Sequence, residues 1–66
     1  MSNVNEGDWV VTTEDFSGEW SGRTQNIPKG TVGRFTKDFG DGYVAVSFGM
    51  TLGFHKMSKA ILAPRD

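Results

Sequence analysis

The chain is 66 residues long, contains no cysteine, and carries seven basic against eight acidic residues for a formal net charge of −1. A single domain of this size buries only about 60% of the surface its unfolded chain exposes, a thin core for the roughly 300 Å³ or larger pocket of a small-molecule site. The missing cysteine excludes a disulfide framework and a thiolate metal site. The lack of a secretory or long apolar segment leads us to expect a soluble, cytoplasmic protein with no membrane partner.

In chain order, Met1 to Glu6 read as a flexible polar arm, with the domain proper over 7–66. Gly7-Asp8 opens a first strand, Trp9 to Thr13, rich in Trp, Val and Thr. Glu14 to Lys29 follows as a long Ser/Gly/Asn/Gln-rich connection with Phe16 and Trp20 embedded in it, and we read it as a binding loop or mobile segment. Pro28 and Gly30 close it. Thr31 to Lys37 is the second strand, in which Val32 and Phe35 share a face only if a bulge at Gly33 repairs the register.

The Asp41-Gly42 pair then predicts a tight hairpin turn into a third strand, Tyr43 to Phe48. Alternation puts Val44, Val46 and Phe48 on the core face and Tyr43, Ala45 and Ser47 on the other. Gly49 to Gly53 reads as a turn, Phe54 to Met57 as a fourth strand, Ser58-Lys59 as one 3-10 turn, and Ala60 to Ala63 as a fifth strand ended by Pro64. The expected fold is an all-β, five-stranded antiparallel small barrel with almost no helix. Its expected core is Val10, Val32, Phe35, Val44, Val46, Phe48, Ile61 and Leu62. Nine glycines against two prolines suit tight turns between short strands.

This order of elements resembles the SH3-like barrel over residues 7–64. The resemblance rests on Gly7-Asp8-x-Val10, Pro28-Lys29-Gly30-Thr31-Val32-Gly33, Tyr43-Val44-Ala45-Val46-Ser47-Phe48 and Ile61-Leu62. The Gly-Thr-Val-Gly run is similar to bacterial and KOW-type members. The chain lacks the Ala-Leu-Tyr-Asp-Tyr run, paired tryptophans and Pro-x-x-Tyr of eukaryotic signalling domains, so proline-rich ligand binding is not implied. This barrel hosts RNA binders, accessory chains and peptide binders alike, so it implies a fold more than a function.

Catalytic signals are absent. His55 is the single histidine and no motif flanks it, which makes it a strand residue rather than a catalytic base. Asp38 and Asp41 lack the remaining ligands of a calcium loop, and the glycines around Lys29 form no phosphate loop. We expect no enzyme activity, no cofactor, no metal and no small-molecule substrate.

Binding signals are stronger. Eight aromatics exceed what the core needs, leaving Phe16, Trp20 and Tyr43, with Trp9 and Phe54, for exposed or half-buried positions. Charge is segregated: residues 1–22 hold five acids and no base, a net −5, and residues 23–66 a net +4. The first expectation is a non-enzymatic protein-interaction module, an accessory or regulatory subunit. Its acidic aromatic loop (Asp15, Phe16, Glu19, Trp20), with Tyr43, would dock a basic or amphipathic protein segment. Trp20 as a lid over an open barrel end is the competing reading of that loop. The alternative function is binding of RNA or single-stranded DNA by a basic strand face, Arg34, Lys37, Lys56 and Lys59, beside Tyr43. The acidic pI of about 5.7 weighs against it.

Overall fold

The computed structural model describes residues 4–65. The fold is all-β. Seven strands run in chain order: β1 (Trp9–Thr12), β2 (Phe16–Trp20), β3 (Arg23–Ile27), β4 (Val32–Asp38), β5 (Tyr43–Ser47), β6 (Phe54–Ser58) and β7 (Leu62–Pro64). A 3-10 turn, Lys59–Ile61, joins the last two; the Ser58 side chain caps it by accepting from the Ala60 amide. Five strands form one antiparallel sheet in the order β6-β5-β4-β1-β7, and β2 and β3 form a separate two-stranded sheet. These five are the strands read from the sequence, displaced by a residue or two at their ends. The sheet is not closed into a barrel by a continuous ladder, since β6 and β7 remain its edges. Among the described residues no helix is long and apolar enough to cross a membrane.

The long connection after β1 is not a loop. It is a β-hairpin whose two-residue turn, Ser21-Gly22, has positive φ at both positions (57° and 77°), as a turn matched to strand twist requires. Cross-strand pairs run from Phe16 opposite Ile27 to Trp20 opposite Arg23. The base of the hairpin is tied to β1. Buried Thr12 donates its hydroxyl to the Pro28 carbonyl at 2.9 Å and accepts from the Thr31 amide at 3.0 Å. Asp15 Oδ1 accepts from the Lys29 amide at 2.7 Å.

The expected tight turn at Asp41-Gly42 is a longer connection, Phe39 to Gly42. Gly40 and Gly42 take the positive φ values and Asp41 does not. Two aspartates shape it: Asp38 Oδ1 accepts from the Gly40 amide at 2.8 Å and Asp41 Oδ1 from the Tyr43 amide at 3.1 Å. These local side-chain bonds replace the strained two-residue turn.

One face of the five-stranded sheet and the inner face of the hairpin enclose the core. Val10, Ile27, Phe35, Val44, Val46, Met57 and Leu62 are buried. Val4 is buried with them, so the arm expected over 1–6 contributes to the core; Met1 to Asn3 lie outside the described residues. Phe48 and Ile61 are half-buried against the cluster. Val32, expected inside, is 38% exposed. It fails because β4 keeps strict alternation there, with Gly33 and Phe35 inward. The register shift comes later, between Phe35 and Lys37. Gly33 is not a bulge residue. A Cβ there would stand 2.7 Å from Val46 and 2.8 Å from the Phe48 ring, so glycine is what lets those side chains close over β4.

Candidate functional site

The core-facing residues fix what the opposite face of the sheet carries, because side chains alternate along each strand and directly paired residues share a face. Burying Val10, Phe35, Val46 and His55 turns Trp9, Arg34, Ser47 and Phe54 outward. The register aligns these four in one row across β1, β4, β5 and β6. At about 4.8 Å per strand, the row places Trp9 and Phe54 about 14 Å apart. Both rings are open to solvent, Trp9 at 50% and Phe54 at 54%. The Arg34 guanidinium lies 5.0 Å from the Trp9 ring centroid, and its Nε donates to the Gly7 carbonyl at 2.9 Å.

A second row, Lys37-Ala45-Lys56, lies alongside the first on β4, β5 and β6. Two residues along β5 and β6 separate the rows, about 7 Å, and three along β4, where the register shift between Phe35 and Lys37 takes up the extra one. The Lys56 ammonium sits 5.1 Å from the Phe39 ring centroid and 5.6 Å from that of Tyr43, which orients it. On the other flank, exposed Val32 faces half-buried Val11 across β4 and β1, with Ala63 of β7 beyond. The face therefore grades from basic, through aromatic, to aliphatic. Neither the basic nor the aromatic row contains a carboxylate.

Three of the four bases expected on a strand face, Arg34, Lys37 and Lys56, are on this surface. Lys59 is not. It lies over the edge of the core, 6.0 Å from the Phe35 ring centroid, and pairs with Asp38 at 3.4 Å. The Gly40 amide foremost, and Lys59 with it, hold the Asp38 carboxyl below the ordinary aspartate range, against a smaller opposing desolvation. Exposed Tyr43 belongs to the same outward face as the bases.

The acidic aromatic loop does not come together as one surface. Pairing in the hairpin puts Phe16, Gly18 and Trp20 on its inner face and Glu19 on the outer one. Phe16 packs half-buried, edge-on to His55 with centroids 5.7 Å apart. Trp20 stacks on Phe54 at 5.8 Å and 14°, and lies against Gly53. Asp15 is engaged at the hairpin base by the Lys29 amide. His55 is a buried strand residue whose Nε2–H donates to the Leu52 carbonyl.

Two hollows flank the hairpin. One, of about 260 Å³, is lined by Asp15, Phe16, Ser17, Asn26, Ile27 and Pro28, and Ser17 donates to Asn26 Oδ1 across it. The other is an open cleft of about 560 Å³ between the hairpin tip and the turn before β6, bounded by Trp20, Arg23 and Met50; Met50 is 97% exposed. Among the described residues no group of three or more His, Asp or Glu side chains could hold a metal ion.

Phe39 was missed by the sequence reading because it sits in a turn, where alternation carries no information. The Trp9–Phe54 row was missed because those residues are 45 apart in sequence and meet only through the register of three strand pairs. Comparison with family models, curated proteins and solved structures finds no match to this chain.

Proposed function

We propose that this protein is a non-enzymatic binding module that takes single-stranded nucleic acid on the outer face of its five-stranded sheet. The observation that carries the reading is the pairing of an exposed aromatic row, Trp9 to Phe54, with a basic row, Lys37 to Lys56, on a surface whose two rows hold no acid. Aromatic faces stack bases of any sequence, and lysine and arginine neutralise phosphates; the two together are what single strands require. The acids stand outside the two rows, and five of the eight accept backbone amides: Asp8 from Asn5 and Asp15 from Lys29, and, at the β4–β5 end beside Lys37, Glu6 from Asp38, Asp38 from Gly40 and Asp41 from Tyr43. These bonds fix the carboxylates in place without removing their charge, so the favourable field is confined to the rows themselves. An SH3-like architecture is part of the same proposal, supported by the strand order, the hairpin inserted after β1 and the 3-10 turn before the last strand.

The test is a titration of labelled protein with single-stranded RNA and DNA at about 50 and 200 mM salt. Three neutralised phosphates at a slope of about −0.7 each predict a loss of affinity of roughly 20-fold between these conditions. Absence of salt-dependent binding rejects the reading.

A protein partner is the second reading, favoured by the exposed Met50 beside Trp20 at the hairpin tip. In that case the nucleic-acid titration is flat, and Met50→Ser weakens capture of a partner from the native host while Lys56→Gln does not.

A further inference from the structure

We propose that the bound strand runs across the β-strands rather than along them, with its bases over the Trp9–Phe54 row, its phosphates over Lys37 and Lys56, and Trp20 as the stop at one end. The inference rests on the nucleic-acid reading of this face and adds direction, footprint and polarity to it.

Direction follows from the register. Trp9 and Phe54 share one row with Arg34 between them, Lys37 and Lys56 share the next, with the Phe39 and Tyr43 rings beside Lys56, and both rows are perpendicular to the strands. A chain laid along a strand would alternate between them, meeting Arg34 then Lys37 on β4, or Phe54 then Lys56 on β6. A chain laid across the strands keeps its bases on one row and its backbone on the other. The rows lie about 7 Å apart, a spacing that lets one nucleotide reach both. The flank beyond the aromatic row agrees with this polarity, whereas Glu6, Asp38 and Asp41 beyond the lysines limit the phosphate track to the basic row itself. Beyond the aromatic row, away from the lysines, stand Val32 and Val11, a surface that suits base edges and offers nothing to phosphate. Arg34, within the aromatic row and already over the Trp9 ring, presents a guanidinium plane on which a middle base can stack.

The two ends of the row differ. At β6 the Trp20 ring already covers one face of Phe54 and is itself seated on Gly53. A base therefore reaches Phe54 from one side only, and the hairpin stands in the way of the next nucleotide. At β1 the row is open. Arg65 follows β7 there, its amide donating to the Trp9 carbonyl at 3.2 Å, and adds a cation beyond Trp9. The three inter-strand spacings between Trp9 and Phe54, about 14 Å in all, correspond to about four steps at the roughly 3.4 Å stacked rise, and fewer for an extended strand. The footprint is therefore no more than about five nucleotides.

The experiment is a length series of oligothymidylates from two to twelve nucleotides, read by tryptophan emission. Trp20→Phe isolates Trp9, and Trp9→Phe isolates Trp20. Affinity should climb to about five nucleotides and then rise only in proportion to the number of registers. Trp9 should be strongly quenched and Trp20 little changed. In Lys37→Gln/Lys56→Gln, two exposed positions, the loss between 50 and 200 mM salt should shrink from roughly 20-fold to about 3-fold, while saturating ligand still quenches Trp9. Binding whose affinity keeps climbing steeply to twelve nucleotides, or quenching of Trp20 equal to that of Trp9, overturns the crosswise track and leaves the nucleic-acid reading standing. No salt-dependent binding by any length overturns both. Should Trp20→Phe lower stability, the wild-type length series alone still decides the footprint.

Discussion

Gly53→Ala is the substitution that most directly tests how the hairpin is seated on the sheet. Gly53 has φ +79°, and a Cβ there would land on Cγ and Cδ2 of Trp20, the rigid root of the indole rather than a flexible end. The left-handed conformation alone costs roughly 1–2 kcal/mol for alanine. Displacing the ring adds the lost stack on Phe54 and part of the buried indole, about 1–3 kcal/mol more. The sum, roughly 2–5 kcal/mol, is a large share of the stability of about 3–10 kcal/mol expected for a chain of this length. Gly40→Ala is the control: its φ is +83° and nothing stands within 4 Å of its would-be Cβ, so only the backbone strain applies. Urea unfolding followed by far-UV circular dichroism gives both values. A Trp20→Ala background closes the cycle, because there Gly53→Ala should fall to the cost of Gly40→Ala. Equal costs for the two glycines in the wild-type background, or no relief in the Trp20→Ala background, would refute the seating of Trp20 on Gly53.

Phe35→Ala should destabilise by about 3–5 kcal/mol in the same assay, more than Phe48→Ala, because Phe35 is fully buried and Phe48 only half so. Ser21, the non-glycine at positive φ among the described residues, should gain on replacement by glycine; relief of about 1 kcal/mol would raise the melting temperature by roughly 4–8 °C. Asp38 is held below its unfolded-state pKa, so its contribution is fully present above the ordinary aspartate value near 3.9 and lost as pH falls through the lower folded value. Acid titration of Asp38→Asn should accordingly lose part of the fall in stability below about pH 4, leaving the neutral-pH slope unchanged.

The sequence by itself determined the local structure wherever a period-2 pattern had one buried face. Val44 and Val46 alternating with Ala45 and Ser47 placed β5 and its inward side, and Pro64 and Ser58 marked the last strand and the 3-10 turn before it. Such assignments are local because a strand's alternation is imposed by its own backbone. The hairpin of β2 and β3 was not legible in this way. Its strands, Phe-Ser-Gly-Glu-Trp and Arg-Thr-Gln-Asn-Ile, contain few β-branched residues, and one is kept free of a side chain at Gly18 so that it can close on His55. The one sequence sign was the Ser21-Gly22 dipeptide, and the more familiar Asp41-Gly42 pair adopted a longer turn because Asp38 and Asp41 bond to nearby amides instead. The candidate surface was decided at the tertiary level. The basic residues could be counted in the sequence, but that Lys59 turns away to Asp38 while Arg34, Lys37 and Lys56 join Trp9 and Phe54 depends on strand pairing. A one-residue slip in that pairing would send every one of these side chains to the other face.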